Sequence, residues 1–489
     1  MDTPTAPGTA APTALREFDD LPGPRGLPVF GNLLQIDSTR MHLQLEQWCE
    51  QFGPVFKLTL GKRRAIVVGD HEMIAAGLRD RPDGFRRTTR LEQVWTEMGL
   101  QGGVFGANGD VWKRQRRMVM AGFDPAHVRR YFPSLQRVSQ RLVGRWRQAA
   151  RQGTVIDLQA DLMRFTVDTI AGLAFGAEVN TLESDEDVIQ KHLNRIFPVL
   201  FKRMFAPFPT WRWFPSAADR ALARSVVEVN AAVDGFVAQA RARLRADPSL
   251  REKPANLLEA MLVAAEAPDS GIDDKQVAGN VLTMLLAGED TTANTLAWMI
   301  HLLWQNPDAL ARATEEVRRV CGDGAVPTLE QVGQLDFIEA CAHEAMRLKP
   351  VAPQNGVQAL RDTTLGDLRI PEGMVIIFVM RRDAVSERHV ADAGRFDPAR
   401  WLVAGGPSQA GSAARRVSMP FGAGPRICPG RYLALQEIKM AMAALLGHFD
   451  IADVGTVDGK APRELLQLAM APVGLTMRLR ERAGVASAA

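Results

Sequence analysis

The chain has 489 residues, of which 46% are hydrophobic and 24% charged, and its formal net charge is +3. That balance is typical of a globular protein, and the length is enough for one very large domain or two to three smaller ones. No stretch approaches the roughly 18 consecutive apolar residues of a membrane-spanning helix. Basic runs interleaved with aromatic residues are missing, which argues against nucleic-acid binding.

The cysteines, histidines and glycines exclude several common classes of site. The four cysteines show no CxxC spacing and no disulfide framework, which indicates a reducing, cytoplasmic compartment. The eight histidines form no HExxH, so a zinc enzyme is not predicted, and no GxxxxGK[ST] or GxGxxG segment supports a bound nucleotide. Residues 1–20 lack the basic patch and apolar core of a signal peptide and are predicted to be disordered.

The first predicted elements follow a Pro/Gly-rich entry segment, Leu21–Asn32. Residues Ser38–Glu50 are predicted to form a helix. Residues Val55–Asp70 contain two alternating apolar runs about a Gly-Lys turn, which predicts a β-hairpin.

Helical periodicity dominates the middle of the chain. Asp273 or Asp274 is predicted to cap a long helix that continues past Trp304 and ends before Pro307. Most of residues 111–265 is also predicted to be helical, with breaks at Pro125, Pro133, Gly153 and the Pro-rich segment near Pro207.

The last third mixes helices with short strands. A helix is predicted over Leu335–Lys349, and strands are predicted over Thr364–Ile370 and Met374–Met380. Apolar residues recur at helical spacing after Arg431. The chain is therefore predicted to be mostly α with a minor β part, without a linker between domains.

A cysteine lies just before that last helix, in FGAGPRICPGR (Phe421–Arg431). Gly and Pro prevent a helix or strand from continuing into this loop, so Cys428 is placed where the loop meets a helix N-terminus. Free backbone N–H groups and the helix dipole favour negative charge there, which predicts a lowered pKa for the thiol.

The residues around the cysteine suit a thiolate bound axially to haem iron. The glycines of the loop, including Gly422, let a flat ligand approach the backbone. Phe421 can shield the sulfur, and Arg426 offers a bidentate donor to a carboxylate. The alternative, a buried structural cysteine, is the commoner fate of a lone thiol, but the flanking residues favour haem. The pattern FxxGxRxCxG is satisfied by Phe421, Gly424, Arg426, Cys428 and Gly430.

With this pattern the chain resembles the cytochrome P450 family, and distant segments match the family's other motifs. Glu344 and Arg347 match the ExxR element, whose side chains share a helix face. FDPARW (Phe396–Trp401) is similar to the family segment that supplies a third charge, here Arg400. The resemblance implies that these three residues hold the core that carries the cysteine loop. Two other pairs with this spacing are predicted to be exposed helical pairs: Glu315 with Arg318, and Glu316 with Arg319.

LLAGEDTTA (Leu285–Ala293) lies in the long helix and is similar to the family's oxygen-activation segment. Ala287 and Gly288 are small enough to let the helix pass close over a haem face. Thr291 can bond back to a carbonyl and open the local ladder, and Asp290 can relay protons as a general acid. The alternative is a solvated polar face, but apolar neighbours on both sides predict a buried helix, where unpaired charge is costly.

VWKRQRRM contains Trp112 and Arg116, which resemble the family's WxxxR pair and by that resemblance bind a haem propionate. The surrounding cations are either a plain solvated face or a docking patch for an acidic electron carrier. The candidate patch comprises Lys113, Arg114, Arg117, Arg129, Arg130, Arg431 and Lys439.

Two positions depart from the family pattern. Ala399 stands where the family usually has Glu, and Gln358 stands where many members have a propionate-binding arginine. The haem carboxylates are therefore expected to be held by Arg116, Trp112 and Arg426 alone.

The resemblance implies a single triangular-prism domain over residues 21–489, mostly α with a minor β part, around a buried haem b whose iron is bound by Cys428. It also implies insertion of one atom of O2 into a C–H bond or an alkene, with Asp290 and Thr291 delivering protons and Ala287 lining the oxygen pocket. No flavin or iron–sulfur module follows the cysteine, so electrons are expected from a ferredoxin and its reductase or from a flavodoxin. A cytoplasmic monomer is expected. The alternatives are a peroxide-driven or isomerising enzyme of the same fold, and a non-enzymatic haem-binding protein.

The substrate is predicted to be a fatty acid or a lipophilic natural product. One segment, FPVLFKRMFAPFPTWRWF, holds seven aromatic residues among basic ones. It is either a packed helix pair or an apolar entrance that attracts a carboxylate. By resemblance, the substrate pocket is lined by Arg86–Val104, Phe197–Phe214, Val351–Val357 and Leu468–Val473.

Overall fold

The computed structural model describes residues 15–176, 179–184, 188–206, 208–322, 324, 326–402 and 413–482. Helices dominate this part of the chain. They are α1 (Met41–Phe52), α2 (His71–Arg79), α3 (Thr89–Glu97), α4 (Gly109–Gly122), α5 (Pro125–Gln152), α6 (Leu158–Ile170), α7 (Val188–Phe205), α8 (Ala217–Ala246), α9 (Leu257–Ala265), α10 (Asp274–Trp304), α11 (Pro307–Cys321), α12 (Leu329–Gly333), α13 (Asp336–Leu348), α14 (Ala413–Val417) and α15 (Arg431–His448).

The strands form small sheets, so the predicted composition, mostly α with a minor β part, is confirmed. The largest sheet has the order β1-β2-β8-β5-β3, and only β2 and β8 pair in parallel within it. A second sheet has the order β4-β12-β9, and β6–β7 and β10–β11 are hairpins. The strands are β1 (Val55–Leu60), β2 (Arg63–Val68), β3 (Phe85–Arg87), β4 (Ile156–Asp157), β5 (Gln354–Ala359), β6 (Thr363–Leu365), β7 (Leu368–Ile370), β8 (Val375–Val379), β9 (Phe449–Thr456), β10 (Arg463–Leu466), β11 (Met470–Val473) and β12 (Leu475–Glu481).

Helix α10 is the long helix that the sequence predicts. Asp273 caps it: its carboxylate accepts from the Gln276 amide, and the Gln276 side chain bonds back to the Asp273 amide, which forms a capping box. The helix ends before Pro307, whose ring starts α11. Helix α10 has apolar residues of its own on nearly every side. This fits its position in the interior, against α6, α13 and α15.

Two predicted boundaries are wrong. Pro133 does not break the chain but lies inside α5, where the lost hydrogen bond is outweighed by burial of a long apolar stripe that includes Trp146. The strand predicted over Thr364–Ile370 is the β6–β7 hairpin, because Gly366 adopts a φ of +60° and reverses the chain. The predicted break near Pro207 falls where α7 ends, and residue 207 itself lies outside the described residues.

The described chain begins within the segment predicted to be disordered. Phe18 is buried in the cluster formed around the largest sheet, and Arg16 forms an ion pair with Asp367 at 2.7 Å. Ordered packing therefore starts before Leu21. Residues 1–14 lie outside the described part.

The main core is formed by α5, α10, α11, α13 and α15. Helix α10 and the loop before α15 are both held by this core on neighbouring elements. This arrangement positions the site. Among the described helices, none is both long enough and apolar enough to cross a membrane.

Candidate active site

The cysteine loop is held by its own backbone. The Cys428 amide donates to the Phe421 carbonyl at 2.9 Å, and α15 starts three residues after the cysteine, at Arg431. Gly424 is required here: its φ is +68°, and a Cβ would lie 2.5 Å from the Leu78 carbonyl oxygen. Gly422 also has a positive φ, and a Cβ there would meet nothing within 4 Å, so open space adjoins the loop as predicted.

The prediction of an easily ionised thiol is wrong for the chain by itself. Burial raises the pKa of Cys428, and the opposing effects of the Gly430 amide, Arg116 and Arg431 do not overcome it. A helix N-terminus lowers a thiol pKa only where the sulfur keeps enough solvation. A bound metal cation would reverse the balance, because a coordinating thiol is deprotonated outright.

Three guanidinium groups gather beside the loop without an acid: that of Arg81 is buried, and those of Arg87 and Arg426 are half-buried. Burial lowers the pKa of Arg81 to about 8, of Arg87 to about 10 and of Arg426 to about 9, and mutual repulsion contributes for Arg81 and Arg426. None of the three forms an ion pair with a carboxylate in the described part of the chain. Arg81 Nε and Nη2 are buried without any partner. Such a cluster suits the propionates of a haem.

Sequence reasoning missed Arg81 and Arg87. Arg87 lies on β3 and reaches across to β5, where its guanidinium donates to Asn355 Oδ1 at 3.1 Å. The pair Arg86-Arg87 in a short strand is the available signal, but the pairing of β3 with the distant strand β5 decides which of the two contacts Asn355. Arg87 therefore offers the cation that the sequence lacks at Gln358.

Trp112 and Arg116 both lie at the cysteine loop, although in different ways. The Arg426 guanidinium stacks over the Trp112 ring at 5.0 Å. Arg116 donates to the Ile427 carbonyl at 2.7 Å and so ties α4 to the residue before the cysteine. Their binding to a propionate remains a prediction.

Gln358 and Ala399, the two departures from the family pattern, do not disturb the contacts of Trp112 and Arg116 with the cysteine loop. The Gln358 side chain accepts from the Thr89 amide and donates to the Gly373 carbonyl, so it ties β5 to the start of α3. Ala399 lies in a short 3-10 helix, Pro398–Trp401, next to Arg400.

The predicted triad is assembled. Arg347 donates to both oxygens of Glu344, at 2.8 and 2.7 Å, and both side chains are fully buried. Arg400 Nε lies 3.3 Å from the same carboxylate, and the Trp401 indole donates to it at 2.8 Å. Arg347 also donates to the carbonyls of Ala384, Ala393 and Arg395. The triad thus fastens α13 to the chain that leads to the cysteine loop.

Two predictions about charged residues are wrong. Glu316 is not in an exposed pair: it is buried, and its carboxylate accepts from the amides of Phe337 and Ile338 at the start of α13. Lys439 is not part of a basic patch, because it is buried and paired with Glu339 at 2.5 Å. Charge alone predicts a surface position for both side chains, whereas tertiary partners hold them inside.

On α10, Ala287, Asp290 and Thr291 line a cavity of about 990 Å³ together with Gly422. Thr291 Oγ1 donates to the Ala287 carbonyl at 2.7 Å, so the predicted back bond is present, and α10 stays continuous through it. Gly288 serves packing instead: a Cβ there would lie 2.6 Å from the Ile170 side chain.

Burial raises the pKa of Asp290, and an Asn294 amide that donates to its carboxylate at 2.9 Å works in the opposite direction. Asn294 in turn accepts from Gln159 Nε2 at 2.7 Å. Asp290 is therefore fixed in one orientation at the cavity wall and keeps its proton to a higher pH than an exposed carboxyl group.

The four predicted pocket segments all contribute to this cavity. The β1–β2 hairpin and Val29–Leu33 also contribute, and no motif in the sequence predicts either of them. Lining residues from the predicted segments include Arg90, Trp95, Phe201, Phe205, Phe208, Arg212, Val351, Gln354, Leu468 and Ala469.

The family's sequence model, described as Cytochrome P450, matches residues 21–478. The chain therefore belongs to the cytochrome P450 family. The family implies a haem cofactor, and the cysteine loop, the open space at Gly422 and the acid-free guanidinium cluster fit one. The crystal structure of the cytochrome P450DA heme domain has a TM-score of 0.80 to this fold, at 26% identity over 96% of this chain and 99% of that one. The predicted fold is thus confirmed.

Two of the following curated relatives are named as oxygenases. Pentalenene oxygenase of Streptomyces avermitilis is 26% identical over 94% of this chain and 96% of its own length. Self-sufficient cytochrome P450 monooxygenase CYP505E4 of Penicillium expansum is 27% identical over 90% of this chain, which spans only 41% of that protein. Protein LUTEIN DEFICIENT 5, chloroplastic, of Arabidopsis thaliana is 26% identical over 86% of this chain and 71% of its own. The chain is accordingly an oxidoreductase of the cytochrome P450 monooxygenase class.

Replacing Arg87 by Gln is expected to weaken haem retention by about tenfold, the loss of one charge-assisted hydrogen bond. The measurement is the rate of haem transfer to excess apomyoglobin. Arg86→Gln is the matched control, because the neighbouring arginine pairs with Glu92 instead. Equal rates of haem transfer for the two variants would show that Arg87 does not bind a haem propionate.

Proposed function

We propose that this chain is a haem-thiolate monooxygenase that holds haem b through Cys428 and oxidises a lipophilic substrate, a fatty acid or a hydrophobic natural product. The observation that carries the proposal is the acid-free cluster of Arg81, Arg87 and Arg426 beside the cysteine loop. Cations without a counter-charge are costly to bury, and propionate carboxylates would offset that cost. The open space at Gly422 supports the same ligand.

When bound, the haem supplies oxygen activation, with the thiolate donating electron density to the iron. The chain's own residues handle protons and exclude water. Asp290 lies at the cavity wall, where it can take up and release a proton, and burial raises its pKa. The Thr291 hydroxyl donates a hydrogen bond to the Ala287 carbonyl, which leaves its oxygen lone pairs free to accept a hydrogen bond from a neighbour. Apolar side chains such as Phe201 and Leu286 line the substrate space and exclude water.

Electrons are proposed to come from a ferredoxin and its reductase, or from a flavodoxin. Arg117, Arg129 and Arg431 are exposed, and exposed cations suit an acidic carrier. Lys113 contributes less, because it is paired with Asp83 at 3.1 Å. We propose a cytoplasmic monomer, a location supported by free, buried thiols such as Cys341, which a reducing compartment preserves.

The test combines two optical measurements on haem-supplemented protein. The reduced carbon monoxide complex is expected to show the red-shifted Soret band of thiolate ligation, and Cys428→Ser is expected to lose it while Cys49→Ser keeps it. Titration of the ferric protein with fatty acids, terpenoids, steroids and macrolides should then give a saturable shift towards high spin with one class. A protein without any haem band contradicts the proposal.

Turnover separates the proposed reaction from its alternatives. NADPH-dependent oxidation that needs the carrier and its reductase supports the monooxygenase. Product formed with hydrogen peroxide alone, or a rearranged product without oxygen, would indicate the peroxygenase or isomerase instead. Haem binding without turnover by any donor would indicate a non-enzymatic haem protein.

A further inference from the structure

Two histidines and one aspartate meet away from the cavity, between α2 and the chain that follows β8. His71 is the first residue of α2, and Asp383 begins the short 3-10 helix Asp383–Val385. His71 Nδ1 lies 2.8 Å from Asp383 Oδ2, and His389 Nε2 lies 3.6 Å from the same oxygen. One ligand atom from each of the three residues lies within 4.8 Å of the other two. Three side chains that can bind a metal ion therefore converge.

Backbone and side-chain contacts hold the carboxylate of this group in place. The His71 amide donates to Asp383 Oδ2 at 2.9 Å, and Arg382 donates to Oδ1 at 2.6 Å. The rings of His71 and His389 are in contact, with centroids 4.8 Å apart. His71 and Asp383 are buried, whereas 19% of the His389 side chain is exposed. The ligand atoms are therefore fixed in advance, and solvent reaches the group on the side of His389.

This group differs from the chain's other contacts between histidine and acid. Among the described residues, no other set of three histidine, cysteine or acidic side chains has ligand atoms this close together. His343, for example, lies 3.9 Å from Glu339 but belongs to no such set. Spacing along the sequence does not reveal the group, because 312 residues separate His71 from Asp383. Two imidazole nitrogens and one carboxylate oxygen form a ligand set that Zn²⁺ accepts, with a water molecule in the fourth position.

We propose that His71, Asp383 and His389 bind a divalent cation of the zinc class, with water as the fourth ligand. Imidazole ligands select such a cation over Mg²⁺, which prefers an octahedral shell of oxygen atoms. On binding, the His71 proton that faces Asp383 moves from Nδ1 to Nε2, so both imidazoles stay neutral. Nε2 is buried without a partner, and Arg382 repels the cation. Because of these two costs, we expect a micromolar rather than a nanomolar dissociation constant. The site lies away from the cavity and does not depend on the proposed function.

Isothermal titration calorimetry of the haem-loaded, full-length protein with zinc chloride, in a buffer that does not chelate zinc, tests this proposal. A saturable heat is expected with Zn²⁺ and not with Mg²⁺. His389→Gln should weaken zinc binding at least about tenfold, the smallest loss typical of a residue that supports a metal site. His343→Gln is the matched control, because His343 is also half-buried beside an acid, with 18% of its side chain exposed. It should bind zinc as tightly as the parent protein.

X-ray absorption at the zinc edge of the loaded parent protein gives a second measurement, which needs no variant to fold. The expected spectrum has nitrogen and oxygen ligands at about 2.0–2.1 Å and the outer-shell scattering of imidazole rings. A sulfur ligand at about 2.3 Å would place the zinc on a cysteine and overturn the proposal. A parent protein without saturable zinc binding, or equal affinities in the parent and His389→Gln, would overturn it as well. Imidazole scattering together with weakened binding by His389→Gln upholds it.

Discussion

Replacing Glu344 by Ala is expected to lower the free energy of unfolding by about 3–5 kcal/mol, because it leaves a buried guanidinium without its counter-charge. Arg347 is fully buried and donates two hydrogen bonds to this carboxylate. The Trp401 indole and the Asp397 amide also lose their acceptor. Such a loss is a large part of the roughly 5–15 kcal/mol that stabilises a native domain. The measurement is the urea midpoint followed by far-ultraviolet circular dichroism.

Glu315→Ala is the matched control, because Glu315 and Arg318 have the same i, i+3 spacing on the exposed side of α11. Its expected effect is within about 0.5 kcal/mol, as for other surface changes. Glu344→Gln keeps the shape of the side chain and is expected to fall between the two, which keeps the test informative where the alanine variant fails to fold. Equal midpoints for Glu344→Ala and Glu315→Ala would show that the triad does not stabilise the fold.

Replacing Glu437 by Gln is expected to remove a pH dependence of stability. Glu437 is fully buried on α15, with a hydrogen bond from Thr292 and one oxygen without a partner. Burial raises its pKa from 4.5 to about 8. The unfolded chain therefore releases this proton as the pH rises through 4.5, whereas the folded chain keeps it until about pH 8.

The sign of the pH dependence follows from this difference in the pKa of Glu437 between the unfolded and the folded chain. The contribution of Glu437 to stability is complete below pH 4.5 and is lost as the pH rises to about 8. The parent protein should therefore lose about 3–4 kcal/mol more than Glu437→Gln between about pH 5 and about pH 8. Thermal midpoints at the two values measure it, with Glu315→Gln as a surface control. Parallel pH dependences in the parent and Glu437→Gln would show that the carboxyl ionises in the folded state.

Local patterns were enough for the parts of the site that depend on neighbours in sequence. The capped start of α10, the back bond from Thr291 to Ala287 and the pairing of Glu344 with Arg347 all follow from positions within one helix, where spacing alone sets the contact. The turn glycines of the cysteine loop follow in the same way, because their positive φ values are a local property of the backbone.

Other features depended on partners that are distant in the sequence. Arg87 joins Arg81 and Arg426 only because β3 pairs with β5, and Glu316 is buried only because α13 starts beside it. The same holds for the thiol of Cys428, whose pKa is raised by burial although its helix N-terminus favours the thiolate. The sequence by itself determined the haem-thiolate loop, the long capped helix and the ExxR pair. Only the tertiary structure decided which charges lie inside, because burial and long-range pairing set the cost of a charge and neither is visible in local spacing.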